Sequence, residues 1–179
     1  GSYNDFKQRI DEIQSVINIK GLDEQKQNII NKLSYINIIT SLDTFICDII
    51  LTKIIQDEES FNNFFNSIPP CKKKDEMTKL KEDNLVAQWE QKVIEYVMRT
   101  SYSNIDTIKD ILKELFKVSI IDTNGKMKKH FYYRNLLAHR NGRKKDGGYI
   151  NITNEELKSL ITDTQSIAKQ IQTKIKPEH

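Results

Sequence analysis

Hydrophobic residues recur three and four positions apart along almost the whole chain, the period of helices that bury one face. Phe6, Ile10, Ile13 and Ile17 predict a short amphipathic helix from Tyr3 to about Lys20. Gly21 is placed to end it and Asp23 to cap the next. A long helical stretch follows from Asp23 to about Asn66, through Ile29, Ile30, Leu33, Ile36, Ile39, Leu42, Phe45, Ile46, Ile49 and Ile50. Its apolar stripe is wide, so this is expected to be the central, most buried helix. A break is expected near Asp57–Ser60, with Ser60 placed to cap a last piece, and Pro69-Pro70 stops it. Residues 72–83 are highly charged and read as frayed or exposed, with Lys72, Lys73 and Lys74 solvated.

Leu85, Trp89, Val93, Ile94 and Val97 mark a further helix. Ser103 or Asn104 is placed to cap another, carrying Ile105, Ile108, Leu112, Leu115 and Phe116. Asp122–Gly125 is a turn, and a helix starting near Lys126 includes Phe131, Tyr132, Leu136 and Leu137. Asn141-Gly142 and Asp146-Gly147-Gly148 mark loop. Thr153 opens a last helix, with Glu156 completing a capping box and Leu157, Leu160, Ile161, Ile167 and Ile171 on the inner face. No strand pair, internal repeat or Gly/Ser-rich linker interrupts the pattern. The expected fold is all-α, a helical bundle of five to six helices. Residues 1–2 read as an expression scar, 3–20 as an N-terminal helix and 21–176 as the main helical domain.

Composition agrees. A chain of 179 residues can bury one core unaided, and six Gly with three Pro are too few for a loop-rich β-sandwich. No apolar run approaches the roughly 18–20 residues that span a bilayer, and no signal-peptide pattern opens the chain, so no membrane partner is expected. Cys47 and Cys71 cannot build a disulfide framework or a zinc site, which makes a reduced, cytoplasmic setting the default. Cys47, amid Phe45, Ile46, Ile49 and Ile50, reads as a buried, inert thiol.

The net charge of +3 says little, but its distribution says more. Thr123–Lys145 holds no Asp or Glu and eight basic residues: Lys126, Lys128, Lys129, Arg134, Arg140, Arg143, Lys144 and Lys145. The rest of the chain is left with 20 basic against 25 acidic residues. A basic stripe on an acidic body is an electrostatic footprint for a polyanion.

Metal-ligand spacing, a phosphate-binding Gly-rich loop and a nucleophile elbow are all missing, so no metal or cofactor is expected. The basic window does contain Arg134-Asn135-Leu136-Leu137-Ala138-His139. Imidazole exchanges protons near neutrality, and guanidinium holds a phosphate through a planar fork. RNA brings its own nucleophile in the 2′-hydroxyl, so an acid–base group and a cation suffice to cleave it. Five residues turn an ideal helix by about 140°, so Arg134 and His139 do not share a face, whereas Asn135 and His139 do. Convergence on one phosphate needs the helix to end before His139, or two copies to meet across a twofold axis. Asn135 is placed to bond the imidazole or the phosphate. His130 reads as exposed surface, with a third polar role in the motif as the alternative. Tyr132 and Tyr133 read as one core ring and one partly exposed ring, with base stacking as the alternative. His179 is terminal.

At these residues the chain resembles the HEPN superfamily, helical bundles whose motif is Arg, four to six residues, then His, with a polar residue after the Arg. Arg134, Asn135 and His139 fill those positions. Leu42–Leu51 resembles the long core helix of these domains and Tyr102–Ile121 their penultimate-helix region, the likeness running from about Asp23 to Ile175. The resemblance implies a metal-independent endoribonuclease, a homodimer whose paired motifs leave a 2′,3′-cyclic phosphate and a 5′-hydroxyl. It also implies a toxin or antiphage-defence role. Arg134 would neutralise phosphate, His139 would move the proton and Asn135 would support both. Arg140, Arg143, Lys144, Lys145, Lys126, Lys128 and Lys129 are candidate RNA-backbone contacts on charge grounds. HEPN toxins silenced by a nucleotidyltransferase carry a Tyr two residues past the His, where this chain has Asn141. A different antitoxin, or a fused sensor domain, is therefore expected. The rival expectation is a non-catalytic helical module that dimerises or binds RNA or nucleotide.

Overall fold

The computed structural model describes residues 1–100, 102 and 104–175. Eight α-helices occur among them: α1 Ser2–Ile17, α2 Glu24–Gln56, α3 Glu58–Ser67, α4 Lys72–Glu82, α5 Val86–Arg99, α6 Ile105–Phe116, α7 Lys126–Arg140 and α8 Asn154–Lys174. A single 3-10 turn, Thr123–Gly125, precedes α7. The all-α expectation holds, and the helix count exceeds the expected five or six for two local reasons. The long stretch after Asp23 divides at Asp57, which is extended (φ −137°) and whose carboxylate accepts from the Ser60 N–H. Asp57, not Ser60, is therefore the cap, and the Ser60 hydroxyl adds a second bond to the same carboxylate.

The second reason is α4, which forms a full helix where its charge predicts fraying. Met77 is buried there, the Lys74 ammonium donates to the carbonyls of Asn66 (3.0 Å) and Ile68, and Lys81 lies over the rings of Trp89 and Phe65. Lys74 thus closes the end of α3 instead of sitting in water, while Lys72 and Lys73 are exposed. Of the two capping candidates before α6, the Asn104 side chain accepts from Asp106 N–H, and Ser103 lies outside the described residues.

Helix α2 is the axis of the bundle. Tyr35, Ile38, Ile39, Leu42, Ile46 and Ile50 are fully buried, and α1, α3, α5, α7 and α8 all pack on it. Phe6 and Ile10 of α1 reach the same core, with the Phe6 and Phe45 rings 5.7 Å apart. The stripe is narrower at its start than its composition implies, since Ile29 (51%) and Leu33 (56%) are exposed while Asn31 and Ser34 are buried. Asp23 caps α2 as expected, accepting from Lys26 N–H (2.8 Å); at α8 Thr153 accepts from Glu156 N–H (3.1 Å), while the Glu156 carboxylate pairs with Lys129 (3.5 Å). No helix among the described residues is long and apolar enough to cross a membrane.

The end of α7 sets the geometry of the loop beyond it. Asn141 (φ +50°) and Gly142 (φ +78°) are both left-handed, and Gly142 N–H turns back to the Leu136 carbonyl (2.8 Å). The loop then reverses over residues 144–148. An antiparallel bridge between Arg143 and Tyr149 and an Ile150 N–H to Gly142 carbonyl bond (2.9 Å) close it. A Cβ on Gly142 would stand 3.3 Å from the Ile150 side chain. Gly142→Ala is expected to cost about 1–2 kcal/mol through the left-handed backbone, lowering the midpoint of thermal unfolding without loss of helical circular dichroism.

Candidate functional site

Arg134 lies in the middle of α7 and is buried, with its guanidinium Nε donating to Asn135 Oδ1 (3.0 Å). Asp43 of α2 stands close enough for its charge to act on the guanidinium. Burial lowers the Arg134 pKa from its ordinary value, and Asp43 opposes that shift. The Asp43 carboxyl is raised by burial and held back by the Tyr102 N–H it accepts (2.9 Å) and by Arg134. The arginine is thus held between a neighbour on its own helix and a carboxylate on the central one. The sequence places Asn135 to serve the imidazole or the phosphate; in the fold its oxygen orients Arg134.

His139 is exposed near the C-terminal end of the same helix. Helix α7 runs unbroken through Arg140, so the two motif side chains stay about 140° apart around it. Ending the helix before His139 is therefore not how this chain could bring them together.

Around His139 the basic candidates gather unevenly. Arg140, Arg143 and Lys145 are exposed and Lys144 is half-buried, all at or beyond the helix end that carries His139. Lys126, Lys128 and Lys129 open the helix instead, and its 15 residues span about 22 Å. Lys128 pairs with Asp106 (3.2 Å) and Lys129 with Glu156 (3.5 Å), the latter also lying over the Tyr133 ring. The window free of acids in sequence is not free of them in space, because α6 and α8 supply carboxylates to one end. Tyr132 is exposed and Tyr133 packs against Tyr35, as one outer and one inner ring.

His130 departs from expectation. It is buried, with Nδ1 2.7 Å from the Tyr35 hydroxyl and Nε2 2.8 Å from Asp163 Oδ2. The ring thus bridges the Tyr35 hydroxyl on one side and the Asp163 carboxylate on the other. Burial first, then the nearby charges of Glu156, Tyr133 and Asp163, hold the Tyr35 phenol above its ordinary pKa, so it stays a donor. This chain of contacts joins α2, α7 and α8 one turn before Arg134. Asp43, Tyr35 and Asp163 are not among the residues that the sequence singles out. Their signal is a polar residue at helical spacing inside an apolar face: Asp43 beside Leu42, Asp163 between Leu160 and Ile167.

Cys47 is half-buried where full burial was expected, and its thiol is pushed up to about 11 by burial first and then by Asp48 and Asp43, which disfavours the reactive thiolate. Among the described residues no group of three His, Cys, Asp or Glu side chains is placed to hold a metal ion. His179 lies outside the described residues.

An all-α bundle whose penultimate helix carries Arg, an adjoining Asn and, after four intervening residues, His defines a HEPN-type helical domain. The chain matches the family described as RiboL-PSP-HEPN over residues 4–177 and belongs to that HEPN family. No curated protein and no solved structure matches it.

The contacts of His130 can be tested by stability. Tyr35→Phe is expected to cost about 1 kcal/mol, one neutral hydrogen bond. His130→Ala removes a buried ring and strips the Tyr35 hydroxyl and the Asp163 carboxylate of their partner, about 2–4 kcal/mol. Urea unfolding with an unchanged m-value measures both.

Proposed function

We propose that this chain is an endoribonuclease of HEPN type, working as a homodimer and needing no metal ion. The observation that carries the reading is the pairing of a pre-oriented guanidinium with a solvent-facing imidazole on one continuous helix. Asn135 and Asp43 hold Arg134, and His139 stands exposed among Arg140 and Arg143. A cation whose orientation is set beforehand stabilises developing phosphorane charge at no reorganisation cost. Because the two groups diverge around α7, one chain's Arg134 and His139 suit different sides of a cleft, and a twofold partner supplies the complement.

In the proposed step an imidazole takes the proton of a ribose 2′-hydroxyl. The 2′-oxygen bonds to the adjacent phosphorus, the bond from phosphorus to the 5′-oxygen breaks, and that oxygen takes up a proton. The products are a 2′,3′-cyclic phosphate and a 5′-hydroxyl. Arg134 neutralises the non-bridging oxygens. The proposal includes a toxin or antiphage-defence role, supported by the resemblance to other HEPN domains, and a cytoplasmic setting, supported by the sparse cysteines. An inhibitor other than a Tyr-modifying enzyme is part of the proposal, since Asn141 fills the modifiable position and serves here as the left-handed cap of α7.

The second reading is a non-catalytic HEPN module that binds RNA or dimerises. One observation favours it: Arg134 is only 8% exposed and faces Asp43, an arrangement that also serves packing.

Incubation of the protein with single-stranded and structured RNA in EDTA separates the two. The enzyme reading expects cyclic-phosphate products, lost by about 10²–10⁴-fold in His139→Ala, a surface change that leaves the fold intact. Arg134→Lys keeps a charge but not the fork, and is expected to be similarly impaired, with some loss of stability at this buried position that a circular-dichroism melt measures separately from activity. Light scattering should give a dimer mass, alone or with RNA. Binding without products supports the module.

Salt tests the basic loop. If Lys144 and Lys145 meet RNA backbone, the affinity of the His139→Ala protein falls steeply with ionic strength. The Lys144→Ala, Lys145→Ala double change then flattens the logarithmic slope by about 1–2. An unchanged slope removes both from the interface.

A further inference from the structure

Tyr132 stands half in water on α7, and the motif chemistry leaves it unused. Among the described residues only two aromatic side chains are exposed, Tyr132 (50%) and Tyr149 (64%); every other ring is buried or half-buried. Tyr149 stands in the loop beyond the helix, bridged to Arg143. Tyr132 is the one that shares a helix with His139. Seven residues turn an α-helix to within about 20° of two full turns, so Tyr132 and His139 project from one face, about 10 Å apart along the axis. Asn135 lies between them on that face.

The rings beneath Tyr132 brace it without covering it. Tyr35 is buried, Tyr133 packs on it with centroids 6.3 Å apart, and Tyr132 follows at 6.2 Å from Tyr133. Tyr133 is further engaged by the Lys129 ammonium, 5.1 Å from its centroid. The planes of Tyr132 and Tyr133 are inclined at 48°, so the inner ring supports the outer one and does not stack on its face. A Tyr side chain turns about only two torsions, so little entropy is lost when it is held. The result is a braced ring with a surface open to a flat guest.

Its surroundings choose the guest. Tyr132 is the one large apolar side chain that α7 exposes, and Lys128, Asn135 and His139 make up the rest of its face. A lone ring among polar groups is not the apolar centre that two copies bury between them. It does suit a nucleobase, which presents a π-face while its own backbone carries charge. Rings set beside cations hold single strands in this way, and Arg140 and Arg143 are exposed at and beyond the helix end that carries His139. We propose that Tyr132 is a stacking residue, taking an unpaired base from a nucleotide neighbouring the one whose 2′-hydroxyl His139 serves. This rests on the RNA reading above and adds a requirement for a free base that Arg134 and His139 do not impose.

Fluorescence anisotropy with the full His139→Ala chain tests it, using a ten-residue oligouridylate and a ten-pair RNA duplex as probes. Adding Tyr132→Ala should weaken oligouridylate binding roughly 5–100-fold, the range of one stacked base, and leave duplex binding and the salt slope unchanged. Tyr132→Phe should keep the parent affinity, and Tyr132→Leu, which retains bulk against Tyr133 but has no π-face, should behave as Ala does. Should the Ala change not fold, the Leu change decides. Parent affinity in the Leu variant, or equal weakening of strand and duplex, overturns the stacking and leaves the RNA reading standing. A lower mass by light scattering on Tyr132→Ala or Tyr132→Leu assigns the ring to a contact between copies and also overturns it. Failure of both probes to bind the parent overturns the RNA reading and the stacking with it.

Discussion

The seam between α2 and α7 carries polar groups where a bundle seam is ordinarily apolar, and the candidate site depends on them. Tyr35 meets His130 and Asp43 acts on Arg134, so two positions on each helix are matched in hydrogen bonding and charge as well as in shape. A slip of one turn between the helices would part Tyr35 from His130 and Asp43 from Arg134 at once, and a buried phenol that loses its partner costs more than the bond itself. Apolar packing alone tolerates such slips far better. The register of α7 on the core, and with it the position of the motif, is held by these few polar contacts.

Much of the architecture was legible in the pattern of apolar positions. The helix faces carrying Phe6 and Ile10, Val93 and Val97, Ile108 and Leu112, and Leu157 to Ile171 are buried as their spacing implies. The caps at Asp23, Asn104 and Thr153 are local events, set by side chains within three residues of the groups they satisfy. Three features were not legible. The order in α4 rests on Lys74 and Lys81 reaching carbonyls and rings of other segments. The exposure of Ile29 and Leu33 depends on which face of α2 its neighbours leave uncovered. The burial of His130 requires Tyr35 and Asp163, 95 and 33 residues away, to arrive on adjoining helices. Each is a long-range coincidence that no local window contains.

The basic window shows the same limit in electrostatic form. In sequence it is one block of eight cations; in the fold a helix of about 22 Å separates its two ends. At the first end Asp106 and Glu156 partly neutralise Lys128 and Lys129, while the second end projects Arg140, Arg143 and Lys145 into solvent beside His139. Exposed ion pairs of this kind add little stability, yet they cancel field, and a polyanion responds to field. The surface most suited to a phosphate backbone is therefore the loop after α7 and not the start of it. Of the basic candidates chosen on charge, four lie at or beyond the end of α7 that carries His139 and three at its other end.

The way α7 ends ties the motif and the basic loop to the central helix α2. Had the chain unwound before His139, a single copy could fold its imidazole back toward Arg134, and Asn135 would be free to bridge them. Instead the helix holds through Arg140 and stops only at two consecutive left-handed residues. Asn and Gly tolerate that conformation with least strain, and Gly142 also leaves room for Ile150 to pack against the helix end. The abrupt stop keeps His139 on a rigid last turn and sends Arg143–Lys145 outward. It then returns the chain so that Ile152 and Asn154 meet Asn31. An end of this kind leaves the two motif side chains on different faces of α7, and that divergence is the geometric reason the proposed site is drawn between two copies.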